Sequence, residues 1–340
     1  MGDMLDFKTI AIGADVHHPL LLLDVLVRSG EHARTILVLG NRTGRIDSSP
    51  FWAGRDEMVR GLTKGMLVQV VGKVSSYRDA RQLEAVSIRP LPRGSVPLTD
   101  LVPSVGDVDR YWQYLDDMRT RVTAPRLRAV LDLFYNDDTF RLAYEQCPGS
   151  PGTGHHAALG GLLQHTTEVV RIGVAMARVA HADAELVAAA AMLHDIGKIR
   201  SYAWETGVFE ITEPGRMIGH VVLGAMMLHD AIAACTAPPC TDDEIMVLMH
   251  LVLSHHGKLE YGSPVRPLTL EADVLHRADD ASAGTASITE AYDSPEYFAG
   301  DARVASRGVW GADNRRLMRI TAAFGRPSEG GENETVDQSG

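Results

Sequence analysis

The sequence predicts two unlike domains in succession, a small all-β barrel followed by an all-α bundle. Three observations carry that expectation. Between residues 20 and 92, five short β-rich runs alternate with turn residues; from 90 to 107 the chain is rich in proline and has no steady period; from 108 onward the apolar residues recur at helical spacing. At 340 residues the chain is long enough for both domains.

The β-rich runs are LLLLDVLVRS, RTILVLGNRTG, RIDSSPFW, MLVQVVGKVSSY and RQLEAVSIRPL, with Gly, Asn or Asp between them. Five such runs fit an OB-fold, a five-stranded barrel. The insert AGRDEMVRGLTKG, between the third and fourth runs, is where that barrel carries a short helix. PLPRGSVPLTDLVPSVGD then reads as a linker. Helical segments follow over DRYWQYLDDMRTRV, APRLRAVLDLFYN and DTFRLAYEQ, then from 156 to 180 and near 183–193, 218–234, 241–253 and 268–293. Gly160 and Gly161 fall inside the long 156–180 stretch, where each costs about 1 kcal/mol relative to alanine unless close packing compensates. The last fifteen residues, RPSEGGENETVDQSG, have almost no apolar content and are expected to be disordered. The expected organisation is therefore an OB domain over 1–92, a linker over 93–107, a helical domain over 108–325 and an acidic tail over 326–340.

Composition excludes several classes. No apolar run reaches the roughly 18 residues that span a bilayer, and PLLLLDVLV is interrupted at Asp24. The N-terminus lacks a secretory pattern, and Cys147, Cys235 and Cys240 form no CxxC pair, so a cytoplasmic protein with free thiols is expected. The net charge of −11 speaks against a polyanionic partner for the chain as a whole. The barrel region is the exception: residues 5–92 hold 12 basic against 9 acidic residues. Arg42, Arg45, Arg55, Lys73 and Arg78, with Lys64 and Arg81 nearby, would supply a track for a nucleic-acid backbone. Phe51, Trp52 and Tyr77 are the aromatics available for stacking, although Phe51 and Trp52 suit the barrel core as well.

Ten of the 14 histidines fall between 155 and 256. His165, His194, Asp195, His220, His255, His256 and Asp279 lie on separate predicted helices or at their ends, so a bundle would converge them on one point. Imidazoles with carboxylates suit Mn, Fe, Zn, Co or Ni rather than Ca. An adjacent histidine and aspartate, His194 and Asp195, give a ligand for one ion and a carboxylate able to bridge to a second. Two ions about 3.5–4 Å apart are what in-line displacement at phosphorus uses. Any one of these histidines alone would more often be an ordinary surface or hydrogen-bonded core residue. His181, His229, His250 and His276 keep that reading.

The ordered set of His165, the His194-Asp195 pair with Lys198, His220, the His255-His256 pair and Asp279 resembles the HD-domain metal-dependent phosphohydrolases. The longer strings HHAALGGLLQHT, AAMLHDIGKI, GRMIGHVVLG and LSHHGKLEYGSPVRPLTLEADVLHRADD are similar to the YhaM-type 3'-5' exoribonucleases, in which an OB-fold precedes an HD-domain helical bundle. The likeness runs from about 20 to 325, and LSHHGKLEYGSP is its most specific part.

The resemblance implies that His165, His194 and Asp279 hold one ion with Asp195, and that His220, His255 and His256 hold the other, with Asp195 bridging. Mn is the ion it implies, whereas the ligand types alone leave Fe, Co and Ni open. Lys198 would steady charge on a phosphate oxygen, and Asp195 and Lys198 would be the catalytic pair. An exposed lysine favoured by the helix dipole is the bland reading of Lys198. At least one of His155 and His156, at the start of the long helical stretch after PGSPGTG, would contact substrate phosphate or sugar, the alternative being that the two only shape the entry. In the segment 257–267, Tyr261 would stack on a base while Lys258 or Arg266 holds a phosphate, the bland reading being a plain loop. The pattern departs from the family at Ser282, where the family tends to carry a second acid.

The implied activity is 3'-5' hydrolysis of single-stranded RNA to 5'-mononucleotides, with single-stranded DNA an open second substrate and a homo-oligomer the implied assembly. The competing expectation is an HD-type phosphodiesterase acting on cyclic or free nucleotides, with the barrel serving regulation. A third reading, a nucleic-acid-binding scaffold, leaves the complete set of charged residues without a purpose.

Overall fold

The computed structural model describes residues 5–52, 56–78, 80–152, 154–294 and 296–322. Within the chain there are two compact units, Met1–Ala283 and Gly284–Gly340.

The first unit opens with β1 (Asp15–Arg28), β2 (Arg34–Asn41), β3 (Gly44–Ser48), β4 (Phe51–Trp52), β5 (Leu67–Tyr77) and β6 (Ala80–Pro90). β1 pairs antiparallel with both β2 and β5, β2 with β3, and β5 with β6. The ring closes where β3 runs parallel to β6, with Asp47 opposite Gln82 and Ser48 opposite Leu83. β1 can serve two neighbours because its pairing with β2 is irregular between Leu22 and Asp24, a break that bends the strand. This is the expected five-stranded OB-type barrel, with β4 as a two-residue addition on β2. Alternation places Leu20, Leu22, Leu37, Leu39, Val68, Val70 and Leu83 inside, all fully buried.

Two details differ from expectation. Among the described residues of the insert before β5 there is a 3-10 turn at Asp56–Met58 and no longer helix. Phe51 fills the core, but Trp52 is 47% exposed because the next residue along a strand points to the opposite face.

The proline-rich interval is not a free linker. It contains the single-turn helix α1 (Leu98–Leu101), and Leu101 and Val102 are buried in the core of the helical body. Leu21 and Leu67 of the barrel enter the same core, and Lys64 Nζ pairs with Glu210 Oε1 at 2.7 Å.

The helical body consists of α2 (Asp109–Arg121), α3 (Pro125–Tyr135), α4 (Asp138–Gln146), α5 (Gly161–Ala180), α6 (Ala184–Leu193), α7 (Lys198–Ser201), α8 (Glu213–Met217), α9 (His220–Ala233), α10 (Asp242–Ser254) and α11 (Leu270–Asp293). A hairpin of β7 (Tyr202–Ala203) and β8 (Glu210–Ile211) lies between α7 and α8. Several starts have local causes. Asp137 caps α4, Asp183 caps α6 by accepting from Glu185 and Leu186 N–H, and Thr241 with Glu244 forms a capping box on α10. No described helix is long and apolar enough to cross a membrane.

The long helix begins at Gly161, not at 156. His156 and Gly160 both take left-handed backbone conformations, with φ of 57° and 77°, which a helix cannot continue through. Gly160 and Gly161 are therefore at the start of the helix, not in its interior. A Cβ on Gly161 would fall 1.9 Å from the His156 carbonyl oxygen, so the glycine is required by that close approach.

The second unit has its own small core of Ala291, Val309 and Ala312, packed by Ile288, Tyr297 and Leu317. The tail expected to be disordered, 326–340, and Arg55 of the proposed barrel track lie outside the described residues.

Candidate metal centre

The site is built at the end of α6. Residues Val187 to Leu193 are fully buried, and the small alanines let neighbouring helices approach closely; a Cβ on Gly173 of α5 would sit 3.0 Å from Val187 Cγ1. The helix stops at Leu193, and the turn that follows presents His194 and Asp195 to the interior, 0% and 1% exposed. Gly197 explains the next letter of the motif. A Cβ there would lie 2.0 Å from the His220 carbonyl oxygen and 2.4 Å from Gly224 N, so only glycine lets the turn meet the start of α9. Lys198, which opens α7, is buried at 5% exposure with Nζ 2.6 Å from Asp195 Oδ2, and so is not an exposed lysine at a helix end.

Five imidazoles and two carboxylates converge here. His165 comes from α5, His220 from the first turn of α9, His255 and His256 from the end of α10, and Asp279 from α11. Asp195 sits between two groups. Its Oδ2 is 3.2 Å from His194 Nε2 and 3.4 Å from His165 Nε2, and its Oδ1 is 3.4 Å from His220 Nε2 and 3.7 Å from His255 Nε2. Asp279 Oδ1 is 3.1 Å from His165 Nε2. Ligand atoms close enough to share an ion form three overlapping sets: His165 with His194 and Asp279, His194 with Asp195 and His255, and His220 with His255 and His256.

The outer ring nitrogens are tied down. Nδ1 of His194, His255 and His256 reaches the carbonyl oxygens of Ala191, Val252 and Tyr261 at 2.7, 2.6 and 2.8 Å, and Nδ1 of His165 reaches Ser282 Oγ at 3.0 Å. A carbonyl can only accept, so those three rings carry their proton on Nδ1 and offer the Nε2 lone pair inward, as metal-ligating imidazoles do.

The interior is incomplete as a hydrogen-bonded network. Asp195 Oδ1 and His255 Nε2 are buried with no hydrogen-bond partner. Nε2 atoms lie in facing pairs 3.3 Å apart, His165 with His194 and His220 with His256. A buried carboxylate oxygen and a buried ring nitrogen left without partners are costly unless a cation stands among them. The donor set therefore fits divalent metal binding.

Electrostatics agree. Burial alone would raise the Asp195 carboxyl, but Lys198, His194 and His165 hold it well below the usual range. Burial also disfavours charge on Asp279, but the imidazoles of His165, His255 and His194 beside it hold its carboxyl well below the usual range. Burial pushes the His220 imidazole down to about 3 and His255 well below the ordinary range, so both are neutral, the form that binds metal. Burial would lower His165 too, but Asp195 and Asp279 raise it.

Among the proposed substrate residues, His155 is half-buried with its ring 6.0 Å from that of His165, and burial pushes it down to about 3. His156 is buried with Nε2 3.2 Å from Glu168 Oε2; both precede α5 and neither is on its first turn. Tyr261 is 51% exposed, with Lys258 Nζ 4.7 Å from its ring centre, and its backbone holds His256. Arg266 is exposed in the same segment. In the barrel, Arg42, Arg45, Lys73 and Arg78 are all exposed, but Lys73 lies in register between Asp15 and Glu84, which offset its charge. Arg78 over Tyr77 at 5.2 Å adds an exposed aromatic and guanidinium pair, and half-buried Arg34 lies over exposed Trp52 at 5.4 Å.

Glu168 and Gln164 were not legible as site residues. Gln164 Nε2 donates to Glu168 Oε1 at 2.9 Å, and Glu168 Oε2 accepts from Ser282 Oγ at 2.8 Å. The available signal was Glu168 falling one helical turn after His165. The four histidines given a bland reading stand apart from the metal cluster: His276 holds the His255 carbonyl, His250 Nε2 accepts from Leu268 N, His181 ends α5, and His229 pairs with Asp230.

A bundle whose buried interior gathers histidines and aspartates in this order belongs to the HD class, and residues 162–284 match the HD domain family model. The 3'-5' exoribonuclease YhaM of Shouchella clausii is 30% identical over 254 residues, covering 73% of this chain and 76% of that protein. The YhaM of Listeria welshimeri is 27% identical over 335 residues, 94% of this chain and 98% of its own, and that of Bacillus subtilis is 27% identical over 254 residues, 73% and 77%. The chain belongs to the YhaM 3'-5' exoribonuclease family. No solved structure matches it.

Proposed function

We propose that this protein is a divalent-metal-dependent 3'-5' exoribonuclease of the cytoplasm that releases 5'-mononucleotides from single-stranded RNA. The observation that carries the reading is Asp195, whose two carboxylate oxygens face two separate groups of imidazoles. His165, His194 and Asp279 would hold one ion and His220, His255 and His256 the other, with Asp195 between them; Mn is the ion the family likeness favours. When bound, such a pair polarises the phosphoryl oxygens and makes water a competent nucleophile at neutral pH.

The chain's own residues supply the rest. Lys198 holds Asp195 in place through its 2.6 Å contact and brings a buried positive charge to where phosphate charge develops. The carbonyls behind His194, His255 and His256 fix ring orientation before substrate arrives. Burial of His194, Asp195 and His255 excludes bulk water. At the rim, His155, Lys258, Tyr261 and Arg266 are the candidates for the terminal nucleotide, with His156 behind them on Glu168. The exposed Arg42, Arg45 and Arg78 of the barrel, with Lys73 contributing less, would hold RNA loosely and raise its concentration at the site.

The test is a time course with 5'-labelled single-stranded RNA and Mn, run beside His194→Ala. A ladder shortening from the 3' end with wild type and absent with His194→Ala is expected. Intact RNA after incubation with metal-loaded wild type overturns the reading, and hydrolysis of cyclic or free nucleotides by the same sample would put the small-nucleotide phosphodiesterase in its place. Single-stranded DNA in a parallel lane defines the sugar preference.

A further inference from the structure

The second unit carries a feature that neither the barrel nor the metal centre uses. Residues 303–319 fold back as an irregular antiparallel arm: Arg319 N donates to Arg303 O, Ala305 N to Leu317 O, and Val309 N to Arg315 O. Bridges join Val304 to Met318 and Val309 to Arg315. At the tip, Arg315 N donates to Ala312 O across Asp313 and Asn314, whose φ angles are 55° and 56°. Two successive left-handed residues make a type I' turn, which Asp and Asn tolerate better than most side chains. Gly308 is required by the closeness of the two limbs, since a Cβ there would lie 2.2 Å from Asn314 O. The arm is therefore a built element, with Val309 and Ala312 anchored in the small core.

Its composition is unlike the chain's. The arm holds Arg303, Arg307, Arg315, Arg316 and Arg319 against the single acid Asp313, in a protein whose net charge is −11. Arg307 pairs with Glu296. Among the described residues, Arg303, Arg315, Arg316 and Arg319 have no carboxylate within ion-pair distance. Arg315 and Arg316 are exposed, and each spends only its Nε, on the carbonyls of Ala312 and Ala305 at 2.8 and 2.9 Å. That tether orders the side chain while leaving the terminal guanidinium nitrogens for a ligand. Beside them at the tip, Trp310 is 78% exposed, an unusual position for the largest apolar side chain.

Ordered guanidiniums with no carboxylate partner among the described residues, next to an exposed indole, match the chemistry of a single-stranded nucleic acid, in which phosphates alternate with stackable bases. We propose that the 303–319 arm is a second single-strand-binding element, with Arg315 and Arg316 on RNA phosphates and Trp310 stacked on a base. The choice of RNA rests on the substrate reading above. An acidic protein surface would satisfy the arginines but gives no account of the unburied indole.

The test measures binding without catalysis. Full-length wild type, Arg315→Gln with Arg316→Gln, and Trp310→Ala are titrated in chelator against 5'-fluorescein oligoadenylate RNA, with anisotropy read at several salt concentrations. Arg178→Gln, an exposed arginine at the end of α5, controls for loss of charge alone. The double variant should weaken binding about tenfold or more and flatten the log–log salt slope by about 1.4, while Trp310→Ala weakens it about fivefold to a hundredfold with the slope kept. Hydrolysis of a nitrophenyl ester of thymidine monophosphate with Mn should be unchanged in both.

Affinity and slope equal to wild type in both variants overturn the proposal, as does wild type that fails to bind the RNA. Unchanged RNA affinity with an altered mass by light scattering also overturns it and assigns the arm to protein contact. If the double variant misfolds by circular dichroism, Trp310→Ala decides alone. RNA bound through the arm but left uncleaved with Mn would sink the exonuclease reading while leaving this one standing.

Discussion

Ser282 Oγ donates to Glu168 Oε2 at 2.8 Å while lying 3.0 Å from His165 Nδ1. A hydroxyl has one proton, and with that proton given to Glu168 it accepts from His165, which fixes the ring with Nε2 free to bind metal. Ser282 thus relays to His165 a carboxylate from α5. Glu168→Gln and Ser282→Ala should each lower Mn affinity about 10- to 100-fold, read by calorimetry. Affinity within twofold of wild type in both would remove the relay from the mechanism.

Lys198 should separate chemistry from assembly. Lys198→Met is expected to reduce kcat about 10²- to 10³-fold on single-stranded RNA, with KM little changed, if its charge acts on the transition state. A rise in KM with kcat preserved would instead assign Lys198 to ground-state binding.

Gly197→Ala should be poorly tolerated even though the substitution adds one methyl group. The new Cβ would meet backbone atoms of His220 and Gly224, not a side chain that can move. Destabilisation of at least ~1–3 kcal/mol in urea denaturation is expected, together with weaker Mn binding as His220 is displaced. A native urea midpoint would show that α9 can slide away without cost.

Metal should be felt in stability. Mn added to chelator-treated protein should raise Tm, because binding favours the folded state by mass action, and His194→Ala should blunt the rise. An equal rise in both proteins would place the ion elsewhere.

The acid side of the stability curve has a contributor away from the metal centre. Glu185 accepts from Thr123 Oγ1, Thr123 N and Ala124 N, joining the α2–α3 connection to the first turn of α6. Those bonds, the Thr123 hydroxyl foremost, lower its pKa. A lowered carboxyl contributes stability that is present above the unfolded value of about 4.3 and is lost as pH falls through the folded value. Glu185→Gln should therefore lower the urea midpoint at neutral pH, and its deficit should shrink with acidification below about pH 4. A deficit that is constant with pH would mean that the amide, not the charge, matters.

Much of this was legible in the sequence because periodicity reports burial. DRYWQYLDDMRTRV, APRLRAVLDLFYN and DTFRLAYEQ became α2, α3 and α4 almost residue for residue, and the five β-rich runs became the barrel. The His194-Asp195 pair was legible because adjacent polar residues after a run of buried alanines have few other uses. Other features were hidden for physical reasons. The start of α5 depends on left-handed backbone at His156, a residue not selected for it by composition. Trp52 and Phe51 cannot be told apart until the strand's facing is known. The Glu168 relay joins residues 114 positions apart through a hydroxyl, and no local pattern records such a contact. Nor did the helical reading over 108–325 separate the second unit, Gly284–Gly340, because 268–293 reads in the sequence as one helical segment.

The hydrogen bond from His256 to the carbonyl of Tyr261 bears on how this enzyme can change. Every amino acid has that carbonyl, so a centre held by the peptide backbone places no demand on the side chain at 261. The segment from Lys258 to Arg266 can drift in sequence while His256 keeps its orientation. Change along that segment is thereby uncoupled from change in the histidine and aspartate cluster. A library randomised at Lys258, Tyr261 and Arg266 would be the natural place to look for altered base preference.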